Sequence, residues 1–425
     1  MVIRNTRIFT NDPERILIDD GTVAFREGVF TFVGKSCDFE SSGDSEVIDG
    51  CGEFLMPSLV NAHLSLHSTV TSHTLIAAEE SPLGTAYYES VVRLLSDGAH
   101  AKLSLLSTIA GVLRSLRYGV TTIFGPVFHS ENLDPELYRY LANKVGVNLS
   151  IGPVVTCGNL ETVLDIWQEV MSDDLFCPQL YIADAALYSE DQLNMLRQLA
   201  SSDLRVSFLI FDMHEESEGC LARWGETLTE RLMRNSLLSS NSGIAYAGSL
   251  SETDMDLLSS RGVFVSKSVR SELYGGIFSP TIADLLGRGM QVNVGSGFVD
   301  VDIFAELKTI MLTDRHFRHF GNKMIDYEIK KTLLEGNYKL ANRCFGKKTG
   351  MIKEGYSADM VLGKPFVEID TFDDKLPVAL QLILRLPTEV IFRKVWNNGK
   401  LVFEDDCPVG LTQEEMRQII DKADP

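Results

Sequence analysis

Eight histidines are spread over the 425 residues, and the one best placed for chemistry lies in LVNAHLSLHSTV, residues 59–70. His63 closes an apolar run, where a barrel strand would deliver it to an active site. A second histidine two residues on would point the same way and complete a pair able to hold a divalent metal. Ser65 stands there instead, and His67 falls four residues on, out of phase with His63 if the chain stays extended. Further histidines lie beyond neighbouring strands: His73, His129, and His214 in MHEE, residues 213–216. His63, His129 and His214 converging on one point would rebuild a metal site; solvated loop histidines and an acidic helix start are the plainer reading. Ser65 and Ser296 could each be paired with His63 as a base, but no nucleophile-elbow pattern supports either. Lys267 and Arg270 close another apolar run and could hold an anion, or serve structure alone. RHFRHF, 315–320, is basic and aromatic, a pattern that suits a helix surface or subunit contact.

Positioning these groups requires strands and helices, and both patterns are visible. Residues 1–55 alternate apolar and polar with Gly and Asp between, as in VIRNTRIFT and GTVAFREGVFTFVG, which predicts short antiparallel strands. The same texture returns in GYSADMVLGKP and VIFRKVWNNGKLVFEDD, where NNGK predicts a hairpin turn. Between them, apolar strand-like runs alternate with helical patterns. LSLLSTIAGVLRSLRYG puts Leu106, Ile109, Leu113 and Leu116 on one stripe and stops at Gly119. SEDQLNMLRQLA turns Leu193 and Leu196 inward. SETDMDLLSSRG opens on a Ser251–Asp254 capping pattern and closes at Gly262. Repeated βα units predict an α/β chain: a (β/α)8 TIM-type barrel over 56–345, a small discontinuous β-sandwich domain from 1–55 and 346–407, and a C-terminal helix over 408–425. No Gly-rich phosphate loop is present, which argues against an open nucleotide-binding sheet.

A net charge of −20 argues against nucleic acid or an anionic membrane as a partner, since both reward a basic face. Seven scattered cysteines without a CxxC pair suit reduced thiols of the cytoplasm. No apolar stretch approaches the roughly 20 residues of a membrane span.

Several segments then resemble the amidohydrolase superfamily, and within it the SsnA-type aminohydrolase/chlorohydrolase branch: LMPSLVNAHLSLHST, YGVTTIF, RWGETLTERL, DIFAELKT, GNYKLANRCFGKKTGMIKEGYSADMVL and VIFRKVWNNGKLVFED. The resemblance implies a barrel with one or two metal ions at its C-terminal mouth, held by histidines and an aspartate. A metal-bound hydroxide there attacks a C–N or C–Cl carbon. Transferred onto this chain, the ligand positions are mostly filled by other residues. The first-strand pair becomes His63 and Ser65. The fifth-strand pattern falls on SFLIFD, with Ser207 and Leu209 at the histidines and Asp212 at the proton-shuttling glutamate. Tyr246 occupies the sixth-strand histidine, Gly297 the eighth-strand aspartate, and Ala183 a histidine common after strand four.

On this basis the sequence alone predicts a barrel that has lost its metal site. The mouth would be lined by His63, Ser65, Ala183, Leu209, Tyr246, Lys267, Arg270 and Gly297. It predicts no cofactor, no metal and no catalytic residue, with His63 and Asp212 as the nearest candidates. The chain would then be a non-catalytic structural or regulatory subunit. By the branch's context its partner would be a flavin/iron–sulfur or molybdenum oxidoreductase of purine- or selenium-linked metabolism, and a homodimer is also compatible. Two alternatives stand beside this: an active hydrolase or deaminase acting on C–N bonds of a heterocycle through a rebuilt site, and a barrel that binds a heterocycle without turning it over.

Overall fold

The computed structural model describes residues 1–40, 46–69, 100–127, 134–167, 169–200, 205–318, 322–365 and 390–421. Eight parallel strands form the barrel sheet: β6 (Leu59–Asn61), β7 (Val120–Val127), β8 (Asn148–Val155), β9 (Phe176–Ile182), β10 (Arg205–Leu209), β11 (Ser242–Ala245), β12 (Phe264–Lys267) and β13 (Gln291–Val294). Each strand pairs with its neighbour in chain order. Every residue of β7, β8 and β9 is buried, as expected of parallel strands covered on both faces.

Helices follow the strands. α1 (His100–Arg117), α2 (Glu136–Val145), α3 (Leu160–Trp167) and α4 (Glu190–Ala200) lie in the first half. The second half holds α5 (Met213–Trp224), α6 (Leu228–Arg234), α7 (Glu252–Ser260), α8 (Val269–Tyr274), α9 (Ile282–Gly287), α10 (Ile303–Arg318) and α11 (Asn322–Ile329). α12 (Asn337–Phe345) and α13 (Gln413–Asp421) complete the set. The buried stripe of α1 is Leu105, Ile109, Val112 and Leu116. This corrects the expectation for Leu106, which is exposed: the 4-3-4 spacing from Leu105 holds one helical face, and Leu106 sits a residue out of register with it. Leu193 and Leu196 do turn inward, and Ser251 with Asp254 forms a complete capping box on α7.

The barrel closes between its first and last strands. Ala62 N–H donates to the Val294 carbonyl at 3.1 Å, and Leu64 bridges Gly297 in parallel. A buried asparagine staples the seam. The Asn337 amide nitrogen donates to the Val60 and Val294 carbonyls at 2.7 and 2.8 Å, while its oxygen accepts from Val294 N–H at 2.8 Å. A π-helical stretch, Lys330–Gly336, leads into α12 and brings Asn337 this close. Gly336 is the residue that permits it, since a Cβ there would lie 2.3 Å from the Val292 carbonyl oxygen.

Both chain ends build a second sheet of nine strands. It runs from β17 (Cys407–Pro408) through β16 (Lys400–Glu404), β15 (Val390–Asn397), β14 (Met360–Pro365), β5 (Phe54–Pro57), β1 (Val2–Phe9) and β2 (Leu17–Arg26) to β3 (Val29–Lys35). β4 (Val47–Asp49) adds to β1. The β15–β16 hairpin turns at Asn398 and Gly399, both at positive φ (50° and 71°), the conformation that matches strand twist. Ile3, Ile8, Val23, Leu55 and Trp396 form a core within this sheet, whereas Phe392, Val395 and Phe403 join the barrel core. Among the described residues no helix is long and apolar enough to cross a membrane.

Candidate functional site

His63 lies just past the C-terminal end of β6, 1% exposed. Its backbone is wired into the barrel seam: its carbonyl accepts from Gly297 N–H at 2.9 Å, and its N–H donates to Asn61 Oδ1. Its side chain has no such anchoring. Nε2 is sealed from solvent and makes no hydrogen bond among the described residues. Aromatic rings surround the imidazole, Tyr246 at 5.1 Å in an edge-on arrangement and Tyr181 at 6.0 Å. Burial, then the neighbouring His67, depresses the His63 pKa to about 3, so the ring is neutral throughout the physiological range.

His67 corrects the sequence-based expectation that it drifts out of phase. The chain after Ser65 does not stay extended. A single 3-10 turn, Leu66–Ser68, curls it back, and His67 ends up buried, close enough to perturb His63. Its Nδ1 donates to the Pro126 carbonyl at 3.3 Å, and burial brings its pKa down to about 4.

Over these imidazoles the mouth is filled by side chains. Ala183, Leu209 and Tyr246 come together with Val154, Tyr181, Ala245 and Phe298 in one apolar cluster. Phe211 stacks on Tyr246 at 4.9 Å, and Ser65 Oγ lies 3.4 Å from the Tyr246 hydroxyl. Gly297 is held at φ +67°, where a Cβ would lie 2.1 Å from Ser271 Oγ. Position 297 therefore has no room for an aspartate without displacing Ser271. Ser296 is tied to Asn61, whose amide donates to its hydroxyl at 2.8 Å, so it is not presented as a nucleophile.

The remaining predicted residues are engaged with other partners. Lys267 does not offer a free cation: it pairs with the Glu272 carboxylate and donates to Ser279 Oγ at 2.5 Å, and Ser279 donates to Glu272 at 2.6 Å. Arg270 likewise turns to Asp300 at 2.7 Å. The anion-holding role considered for both is thus corrected, because each cation already has its carboxylate. Asp212 serves as the N-cap of α5, accepting from the His214 and Glu215 N–H groups. His214 is exposed beside Glu218 on that helix, whereas His63 is buried. His73 and His129 lie outside the described residues, as does part of RHFRHF; Arg315 and His316 are exposed on α10.

Sequence reasoning missed the Tyr181 hydroxyl and the surroundings of two groups it had named. The Tyr181 hydroxyl is buried inside the barrel with no hydrogen-bond partner among the described residues. Glu216, one turn into α5, has a carboxyl raised to about 8 by burial and by nearby Asp184. The Lys267–Glu272–Ser279 trio joins a strand end to two loop positions at spacings of five and seven, which match no local period. Among the described residues no group of three or more His, Cys, Asp or Glu side chains could hold a metal ion. Apart from two imidazoles, the groups facing the His63 pocket are hydroxyls, aromatic rings and aliphatic carbons, so the described residues do not fit a divalent ion.

No family model matches the chain. It is 22% identical to a 5'-deoxyadenosine deaminase of Methanosarcina barkeri, over 100% of this chain and 97% of the relative. It is 27% identical to a 5-methylthioadenosine/S-adenosylhomocysteine deaminase of Nitratidesulfovibrio vulgaris, over 69% of this chain and 67% of that one. Among solved structures, a triazine hydrolase variant superposes with a TM-score of 0.79 at 18% identity, covering 100% and 99% of the two chains. A zinc-bound adenosine deaminase from Xanthomonas campestris superposes with a TM-score of 0.74 at 18% identity, covering 99% and 98%.

These relatives overturn the reading of the chain as a non-catalytic subunit. Proteins related over two thirds or more of its length, one of them over all of it, are named as deaminases, and those sharing its fold include a hydrolase and a deaminase, which points to an enzyme. That reading inferred lost activity from lost ligand types, and those types speak only to one way of doing the chemistry. The chain is related to the amidohydrolase superfamily, whose deaminases it follows in sequence and whose barrel with an added β-sheet it shares.

Proposed function

We propose that this chain is a hydrolase acting on a C–N bond of a nitrogen heterocycle, most simply a deaminase of an adenine-type nucleoside. The observation that carries the proposal is kinship with a 5'-deoxyadenosine deaminase along the whole of both chains. Hydrolytic deamination adds water to a ring carbon and expels ammonia. It needs an acceptor for the water's proton and a donor for the leaving amine. His63 supplies a neutral imidazole with an unengaged Nε2, and the Ser65 and Tyr246 hydroxyls stand beside it. Phe211 and Tyr246 offer flat apolar faces on which a heterocycle stacks. Because His63 Nε2 is sealed, ring entry requires this stacked pair to swing aside.

The test is ammonia release from a panel of 5'-deoxyadenosine, methylthioadenosine, S-adenosylhomocysteine and substituted triazines. Turnover of at least one, reduced about 100-fold or more by His63→Ala, is the expected result. Absence of turnover across the panel, or full activity in His63→Ala, would refute the proposal.

A further inference from the structure

Residues 277–280 join α8 to α9 beside the aromatic cluster of the mouth, and both ends of this segment are fixed. At the α8 end, Gly275 N–H donates to the Ser271 carbonyl at 2.7 Å and Ile277 N–H to the Glu272 carbonyl at 2.8 Å, with Gly276 between them at φ +58°. At the other end, Thr281 opens α9 with a capping box to Asp284. Three contacts hold the segment down. Ile277 is half-buried and packs, with Phe211 and Val299, against the cluster that contains Tyr246. The Phe278 carbonyl accepts from Ser249 N–H at 2.6 Å. Ser279 Oγ accepts from Lys267 Nζ and donates to Glu272. Phe278 itself is 86% exposed, so its ring adds little to the hold. The chain that Ile277 rests on is close and strained. A Cβ on Gly248 would lie 2.8 Å from Ile277 Cγ2 and 1.7 Å from the Phe211 carbonyl oxygen. Around it Tyr246, Ala247 and Ser249 all take positive φ (70°, 56° and 51°), a costly run for residues with a Cβ. Phe278 and Pro280 line two cavities, of about 420 and 580 Å³.

We propose that residues 277–280 are a strap, latched by Ser279, that lifts to admit a heterocycle to His63; this rests on His63 being the group a substrate must reach. Lifting breaks one backbone hydrogen bond, releases Ser279 and withdraws Ile277. It leaves Lys267 and Glu272 paired with each other, so no buried charge is stranded. The two cavities give Phe278 and Pro280 room to move without repacking the barrel core. Release of Ser249 N–H also lets the positive-φ run relax, which favours the open state. With Ile277 withdrawn, the Phe211–Tyr246 stack loses part of its outer packing. Tyr246 can then turn out of the edge-on contact it makes with the His63 ring. Ser279 and Ile277 are positioning residues in this scheme, acting on access to the site through Tyr246.

The experiment labels the full chain with diethyl pyrocarbonate at neutral pH, without substrate, and follows the His63 peptide by mass spectrometry. The reagent attacks neutral imidazole, so the labelling rate of a sealed His63 reports how often the mouth opens. Ser279→Ala removes the latch and should label His63 about tenfold faster than the parent, and Ile277→Ala should do the same. Hydrogen exchange at the Ser249 amide should speed up by a similar factor in both. Thr227→Ala, which breaks the capping box of α6, controls for general loosening and should leave His63 labelling within about twofold of the parent. An unchanged His63 labelling rate in both strap variants would overturn the proposal. Equal acceleration in Thr227→Ala would overturn it too, since the opening would then be global. Labelling and exchange are read without turnover, so their outcome stands apart from that of the ammonia-release panel.

Discussion

Gly297→Ala is the substitution whose cost the structure lets us work out most closely. The backbone sits at φ +67°, which costs a residue with a Cβ about 1 kcal/mol relative to glycine. The added Cβ would lie 2.1 Å from Ser271 Oγ and 2.8 Å from Ser271 Cβ, with Ser268 Cβ at 2.9 Å. Ser271 has little freedom to yield, because its hydroxyl accepts the Phe298 N–H at 2.9 Å in a buried position. Moving it strands that donor and overpacks the seam, for about 2 kcal/mol more. The sum is about 3 kcal/mol, or a fall of roughly 3 °C in thermal midpoint for a chain of this size. Scanning calorimetry of Gly297→Ala, Ser271→Gly and the double variant measures it. The two substitutions should be less than additive by about 1–2 kcal/mol, since removing Ser271's side chain opens the space. A Gly297→Ala protein melting within about 1 °C of the parent would refute both the strain and the packing argument. Gly297→Asp should be at least as costly, for the same atoms.

Asn337→Ala removes three buried hydrogen bonds across the barrel seam and should cost about 3–5 kcal/mol in a urea melt, with more than half of that persisting in Asn337→Asp, which cannot donate. Ser251→Ala breaks the capping box of α7 and should cost about 1 kcal/mol by the same measurement. The two buried imidazoles set an acid limit. With folded pKa values of about 3 and 4 against about 6.5 unfolded, the unfolded chain takes up protons first, so their contribution is present above pH 6.5 and is lost as pH falls toward 4. Between pH 7 and pH 5 each should cost about 2 kcal/mol, and a His67→Asn protein should show a correspondingly shallower loss. Glu306 works in the opposite range. Burial raises its carboxyl to about 8, so stability is greatest below about pH 4.5 and declines as pH rises to 8; Glu306→Gln should flatten that decline.

The barrel and the composite sheet were legible because the signals that specify them are short-ranged. The patterns in residues 1–9 and 390–404, the Ser251 cap and the NNGK turn each act within a few residues, and the structure forms strands, a capping box and a hairpin turn there. Leu106 shows the limit of that reading: one residue of phase decides which face a helix buries, and the neighbouring Leu105 competes for the same stripe. The site was less legible, for two separable reasons. Asp212 is a case where the signal was present. An Asp immediately before MHEE is an N-cap pattern, and its carboxylate meets the His214 and Glu215 N–H groups rather than a substrate. His67 is a case where the signal was absent. Whether the chain after Ser65 runs extended or makes a 3-10 turn is decided by what buries Leu66, and those contacts come from distant parts of the chain.

The same distinction bears on activity. Residue types at aligned positions report which ligands a strand end can offer, and there Leu209, Tyr246 and Gly297 leave little for a metal. They do not report the environment that three-dimensional packing gives to what remains. Around His63 that environment is a dry aromatic enclosure with a neutral imidazole, an unengaged Nε2, and two hydroxyls within reach of each other. A buried nitrogen without a partner costs a protein free energy in every folded molecule. The structure has not silenced Nε2 with the nearby Ser65 or Tyr246 hydroxyls, which lie beside each other instead. An unsatisfied group at the mouth of a barrel, in a chain similar in sequence to named deaminases, is the arrangement expected of a nitrogen kept available for a ligand.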